Sequence, residues 1–152
     1  MKTLGNFIWF ILGGLLLGIG WMCTGLLMYI TFTGIPWGRS CLVIGKFIFA
    51  PFGREAISRK ELTGESDLGT GALGWLANII WFVLCGWWLA VGHVIAGVLN
   101  CITIIWIPFG IQHFKLAGVA LSPVGKTVVQ KEVADEARRR NAAEFVTARR
   151  ER

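Results

Sequence analysis

Asn6-Phe7-Ile8-Trp9-Phe10 and Asn78-Ile79-Ile80-Trp81-Phe82 stand 72 residues apart and match at four of five positions or by an apolar exchange. The register extends in both directions without a gap. Leu12 and Gly14 fall on Leu84 and Gly86, and Gly20 and Gly25 on Gly92 and Gly97. Ile35-Pro36-Trp37-Gly38 falls on Ile107-Pro108-Phe109-Gly110, and Pro51-Phe52-Gly53-Arg54 on Pro123-Val124-Gly125-Lys126. Eighteen of the 51 positions from Leu4 to Arg54 are identical. Apolar composition produces coincident Leu and Ile, but not Asn, Trp, Gly and Pro-x-Gly in one register. The chain is an internal duplication.

Each copy begins with a run of about 30 apolar residues. No Asp, Glu, Lys or Arg occurs between Lys2 and Arg39, or between Asp67 and Lys115. A bilayer core takes about 20 apolar residues as helix, so both runs are long enough to cross one. The whole 152-residue chain is 55% hydrophobic and only 16% charged, with 20 Gly and eight Trp, which excludes an ordinary soluble domain. The first run exceeds a signal-peptide core and lacks a small-residue cleavage site before a polar start, so it reads as retained.

After the run comes the Ile-Pro-aromatic-Gly break, at Pro36 and Gly38 and again at Pro108 and Gly110. Proline cannot continue the helical ladder, so a helix end is expected near residues 34 and 106. A shorter segment follows, Ser40 to Ala50 or Gln112 to Ser122. Its 11 residues would reach roughly 16 Å as helix, too short to span and suited to an interfacial or re-entrant helix. Pro51 and Gly53, or Pro123 and Gly125, close the unit.

This gives a first membrane repeat at 1–56, a polar connector at 57–74, a second repeat at 75–126 and a charged tail at 127–152. The fold class expected is an all-α integral membrane protein. Each of its tandem repeats has a long transmembrane helix, or a helical hairpin, and then a short interfacial or re-entrant helix. The tail carries Glu132, Glu136 and Arg140 at i,i+4 spacing and reads as a solvated cytoplasmic helix with a Glu136–Arg140 pair.

Two topologies fit. In the first, each run is one tilted helix about 42 Å long, with the modules inverted and the connector on the far side. Alternatively each run turns back near Gly18-Ile19-Gly20 and Ala90-Val91-Gly92, and every polar end shares one face. Arg39, Lys46, Arg54, Arg59 and Lys60 between the modules favour the second by the positive-inside rule; arms of about 15 residues favour the first. Both place the C-terminus in the cytoplasm.

The Asn-x-x-Trp start, Gly86-Trp87-Trp88-Leu89, the following His93, the Ile-Pro-Phe-Gly break and Phe114-Lys115-Leu116-Ala117 together resemble the YccF family of inner-membrane proteins over about residues 1–130. The resemblance implies a small inner-membrane component with a repeated domain. It implies no activity, substrate or catalytic residue.

The residues themselves offer few sites. His93 lies deep in an apolar run where the first copy has Trp21, so it is a candidate intramembrane polar group, either lining an ion path or hydrogen-bonded to a neighbouring helix. Asn100, opposite Met28, is a candidate cross-helix donor. Asn6 and Asn78 read as helix N-caps. Gly14, Gly18 and Gly86 read as close-packing positions within or between protomers. Cys23, Cys41, Cys85 and Cys101 have no paired spacing and read as packing residues. Without a phosphate loop, a metal-spaced cluster or a catalytic triad, no enzyme, cofactor or metal is expected. The net charge of +6 sits at the ends of apolar runs and in the tail, and reports topology rather than nucleic-acid binding. The expected partners are the lipid bilayer and a second copy or a membrane protein. The expected role is a structural or accessory self-associating component, and the competing one a small oligomeric channel or transporter.

Overall fold

The computed structural model describes residues 2–31 and 34–150. Helix α1 is one helical run, Thr3–Ile30, and its repeat is α4, Ala72–Cys101. Neither turns back at residues 18–20 or 90–92, so the internal hairpin does not form. Both runs contain a single π-helical turn, Phe10–Gly14 and Phe82–Gly86, where Leu15 N–H reaches Phe10 O and Trp87 N–H reaches Phe82 O. The long helices end at Ile30 and Cys101, several residues before the proline. Pro36 and Pro108 instead occupy the first turns of α2 (Ile35–Phe49) and α5 (Ile107–Leu121), where a missing N–H costs nothing. Each short helix is therefore 15 residues rather than 11. With the preceding turn from Ile104, the second copy is 18 residues and long enough to cross a membrane.

Each short helix packs back along its own long helix. The backbone contacts run from Gly38 beside Gly25 to Ile48 beside Gly14, so the two helices are antiparallel. The hairpin is locked where it closes. Asn6 Nδ2 donates to Phe52 O at 3.1 Å and Phe52 N–H donates to Asn6 Oδ1 at 2.9 Å. Asn78 makes the same pair with Val124, at 3.1 and 3.0 Å. Asn6 and Asn78 are thus not N-caps. They sit inside helices that begin at Lys2 and Ala72, and they clasp the second Pro-x-Gly turn. Gly53 (φ 87°) and Gly125 (φ 85°) occupy the third position of those turns, where a type II turn needs positive φ.

The chain then leaves the helices in two short strands that the sequence reading did not anticipate. Strands β1 (Arg54–Ser58) and β2 (Lys126–Gln130) pair antiparallel. The middle pair is Ala56 with Val128, which are repeat equivalents. The pseudo-twofold axis of the duplication therefore passes through the ribbon. Both closing turns feed this one ribbon.

A polar layer covers the ribbon. Helix α3 (Arg59–Thr63) and the tail helix α6 (Lys131–Arg150) pack on it through Ile57, Ala134, Ala137 and Leu62. Arg138 of α6 reaches Glu61 at 2.9 Å and Glu55, so the tail is docked rather than free. The Glu136–Arg140 pair does not form. Glu136 lies 3.8 Å from Arg139, while Arg140 donates to Leu62 O at 2.8 Å. In the connector, Arg59 Nη2 donates to Asp67 Oδ1 at 3.0 Å. That bond first, then those from Thr70 and the Gly69 amide, hold the Asp67 carboxyl well below the usual carboxylate range.

Outward, the long helices expose Phe7, Ile11, Leu16 and Leu26, and Leu76, Val83, Trp88 and Leu99. Such continuous apolar belts are surfaces for lipid rather than water.

Two measurements check this packing. Asn6→Ala removes both partners of the Phe52 peptide group and is expected to destabilise by about 1–3 kcal/mol, read by thermal unfolding in detergent micelles. A Cβ at Gly14 would overlap the Trp9 indole, whereas one at Gly20 meets nothing within 4 Å. Gly14→Ala is therefore expected to lower the unfolding temperature and Gly20→Ala to hold or raise it, since Ala exceeds Gly in helix propensity by about 1 kcal/mol.

Candidate functional site

The two modules meet along a buried polar and aromatic seam. Trp21 and His93 occupy the same position in the two copies, and they touch. Trp21 Nε1–H donates to His93 Nε2 at 3.4 Å, and both residues are 0% exposed. The pseudo-twofold axis therefore passes between them as well. His93 Nδ1 stands 3.3 Å from Nδ1 of His113, which is 2% exposed.

The indole fixes the proton arrangement. Trp offers only a donor, so His93 Nε2 must accept and carries no proton. Neutral His93 then holds its proton on Nδ1 and donates to His113 Nδ1, which leaves the His113 proton on Nε2. The chain reads Trp21 to His93 to His113, all donors pointing one way. Beyond it, the His113 ring lies against Trp9 with centroids 4.4 Å apart, and its Nε2 faces Gly13. Gly13 stands where the second copy has Cys85, and a Cβ there would only touch the imidazole, at 3.6 Å.

Trp9 and Trp81 frame the seam. Trp9 Nε1–H donates to Ile48 O at 2.6 Å and Trp81 Nε1–H to Ala120 O at 2.8 Å. These carbonyls lie in the last turns of α2 and α5, where the helix supplies no partner. The π-turns make this reach possible. Each indole folds across the glycine that ends its own π-turn, and Gly14 and Gly86 admit no Cβ there. Across the modules, Trp37 Nε1–H donates to Ala77 O at 2.9 Å, and Phe109 stacks on Trp9 at 6.3 Å.

Of the residues singled out from sequence, His93, Asn6, Asn78, Gly14 and Gly86 all serve contacts inside the protomer. Gly18 admits the Phe49 ring of α2, so it too packs internally. Asn100 does not cross to another helix. Its Nδ2 donates to Ala96 O, one turn back in α4, at 2.9 Å. His113 was missed, because it sits in the short segment rather than the long run. The repeat register held the signal: His113 replaces Cys41 as His93 replaces Trp21. Among the described residues, no three His, Cys, Asp or Glu side chains gather closely enough to hold a metal ion.

Comparison with known proteins matches this architecture to one family. A family model described as an inner membrane component domain, YccF, matches twice, at residues 4–54 and 76–126. The chain is 41% identical over 145 residues to the inner membrane protein YccF of Escherichia coli (strain K12), covering 93% of this chain and 97% of that protein. The Shigella flexneri protein of the same name matches with the same identity and coverage. No solved structure matches. With both domain copies matched and nearly the full length of the relatives covered, the chain belongs to the YccF family.

Proposed function

We propose that the protein is an accessory structural component of the inner membrane, anchored by two helical hairpins and presenting one charged face to the cytoplasm. The observation that carries this reading is the convergence of both modules on one ribbon. Asn6 binds Phe52 and Asn78 binds Val124, so each module returns to the side from which it entered. The charged side chains follow. Arg39 shares a cavity with Arg59 and Lys126, and Lys115 shares one with Arg54 and Lys131. One face thus collects Arg39, Arg54, Arg59, Lys115, Lys126 and Lys131. The positive-inside rule assigns that face, with the C-terminus, to the cytoplasm.

In this reading α1 and α4 enter the bilayer, and α2 and α5 are the returning arms. Self-association, with a second copy or a membrane partner, uses the outer faces of the long helices. Gly20 and Gly92 are repeat equivalents with no atom within 4 Å of a built Cβ, and so leave room for a neighbouring helix.

A channel or transporter is the competing reading, motivated by the imidazole pair on the module axis. The direction of its hydrogen bonds favours packing. Trp21 can donate but never accept, so the chain has a dead end on that side.

Two tests separate these readings. Green fluorescent protein and alkaline phosphatase fused in turn after Ser66 and after Arg150 should give fluorescence and no phosphatase activity at both sites. Phosphatase activity at Ser66 would sink the one-face arrangement. In proteoliposomes, the protein and His93→Phe should both pass no protons or small ions. His93→Phe should lose about 1–3 kcal/mol of stability from the orphaned Trp21 N–H. A flux that the variant abolishes would establish the channel instead.

A further inference from the structure

The duplication has produced a matching pair of basic cavities, one on each side of the ribbon. The first, about 450 Å³, lies between Ser40 and Val43 of α2 and Lys126 and Thr127 of β2. The second, about 310 Å³, lies between Gln112 and Lys115 of α5 and Arg54 and Glu55 of β1. These four positions correspond one to one across the 72-residue register. Each cavity is therefore built by the short helix of one module and the strand of the other.

Cations line both cavities. Arg54, Lys115, Lys126 and Lys131 line the second cavity. Its one carboxylate, Glu55, is already taken by Arg138. None of the four cations forms an ion pair with another described residue. In the first cavity Arg39 and Lys126 stand beside Arg59, whose charge Asp67 answers. Lys126 lines both cavities, and burial pushes its ammonium below the usual lysine range. A negative charge in either cavity would relieve that cost. The second cavity also receives Gln112, which is only 9% exposed. Its amide forms no hydrogen bond with another described residue and is left to face the cavity.

The remaining wall is apolar. Phe47 and Val119 line the second cavity, and Val43, Leu68 and Leu73 the first. On α5, Phe114 and Leu121 are exposed on one side of the cavity-lining residues. A ligand that fits carries a phosphate at one end and hydrocarbon at the other. We propose that the two cavities are paired binding sites for the phosphate headgroups of anionic phospholipids, with the acyl chains leaving along the apolar sides of the short helices. The assignment rests on the reading that this face meets the membrane boundary.

The test uses the full chain, delipidated in a neutral detergent and titrated with phosphatidylglycerol or phosphatidylcholine, with bound lipid counted by native mass spectrometry. Two phosphatidylglycerol molecules per chain should be retained, each in preference to phosphatidylcholine. Lys115→Gln should weaken one of them and Lys126→Gln both, by about fivefold per charge removed. Gln112→Leu should weaken one. Lys60→Gln, on a different groove of the polar layer, should change nothing. Excess sodium phosphate should not displace the lipid.

Equal retention of the two lipids would overturn the proposal. So would an effect of Lys60→Gln as large as that of Lys126→Gln, since that reports only general surface charge. Displacement by inorganic phosphate would reassign the cavities to a soluble phosphate compound. The topology fusions report separately on which face is cytoplasmic, so a failure of lipid binding and a failure of orientation give different results.

Discussion

A helix that stops inside an apolar environment leaves carbonyls and amides with no water to bind, each costing several kcal/mol. In this chain α2 and α5 stop against the long helices, so the partners must come from side chains. Trp9 and Trp81 supply N–H groups to Ile48 O and Ala120 O. Asn6 and Asn78 supply both a donor and an acceptor to the peptide groups just beyond. Much else follows from that need. The indole must fold back across its own helix, which needs a glycine five residues on, at the end of the locally widened π-turn. The carboxamide must face the exit turn, which fixes where the hairpin closes. The closing turn then launches each strand, and the strands join the modules.

The duplication was fully legible in the sequence, because Asn, Trp, Gly and Pro are placed by backbone requirements that recur in both copies. Their purpose was less legible. Asn6 before an apolar run looks like an N-cap because capping is the commonest local use of Asn; its actual partner is 46 residues away. The Ile-Pro-aromatic-Gly segment reads as a helix end because proline breaks ladders. It is a helix start here, since the chain has already stopped at Ile30 and Cys101. The ribbon escaped notice because five residues such as Arg54–Ser58 carry no periodic signal, and their partner strand lies a whole repeat away. His93 stood out as a polar group in an apolar run, while His113 did not.

A duplicated gene is free to break its own symmetry, and the module axis shows why it would. A residue on a twofold axis faces its own copy. Two tryptophans at positions 21 and 93 would point N–H donors at each other with no acceptor between them. Pairing Trp21 with His93 resolves this, because imidazole accepts on Nε2 what indole donates. The exchange creates a second demand, since His93 now has a proton on Nδ1 to place. His113 accepts it, at the position where the first copy holds Cys41. Trp21 has no second nitrogen, so nothing obliges the first copy to provide a polar group there, and Cys41 is fully buried. The departures from symmetry at 21/93 and 41/113 are thus one event in chemical terms. Satisfying a donor on the axis required one histidine, and satisfying that histidine required another.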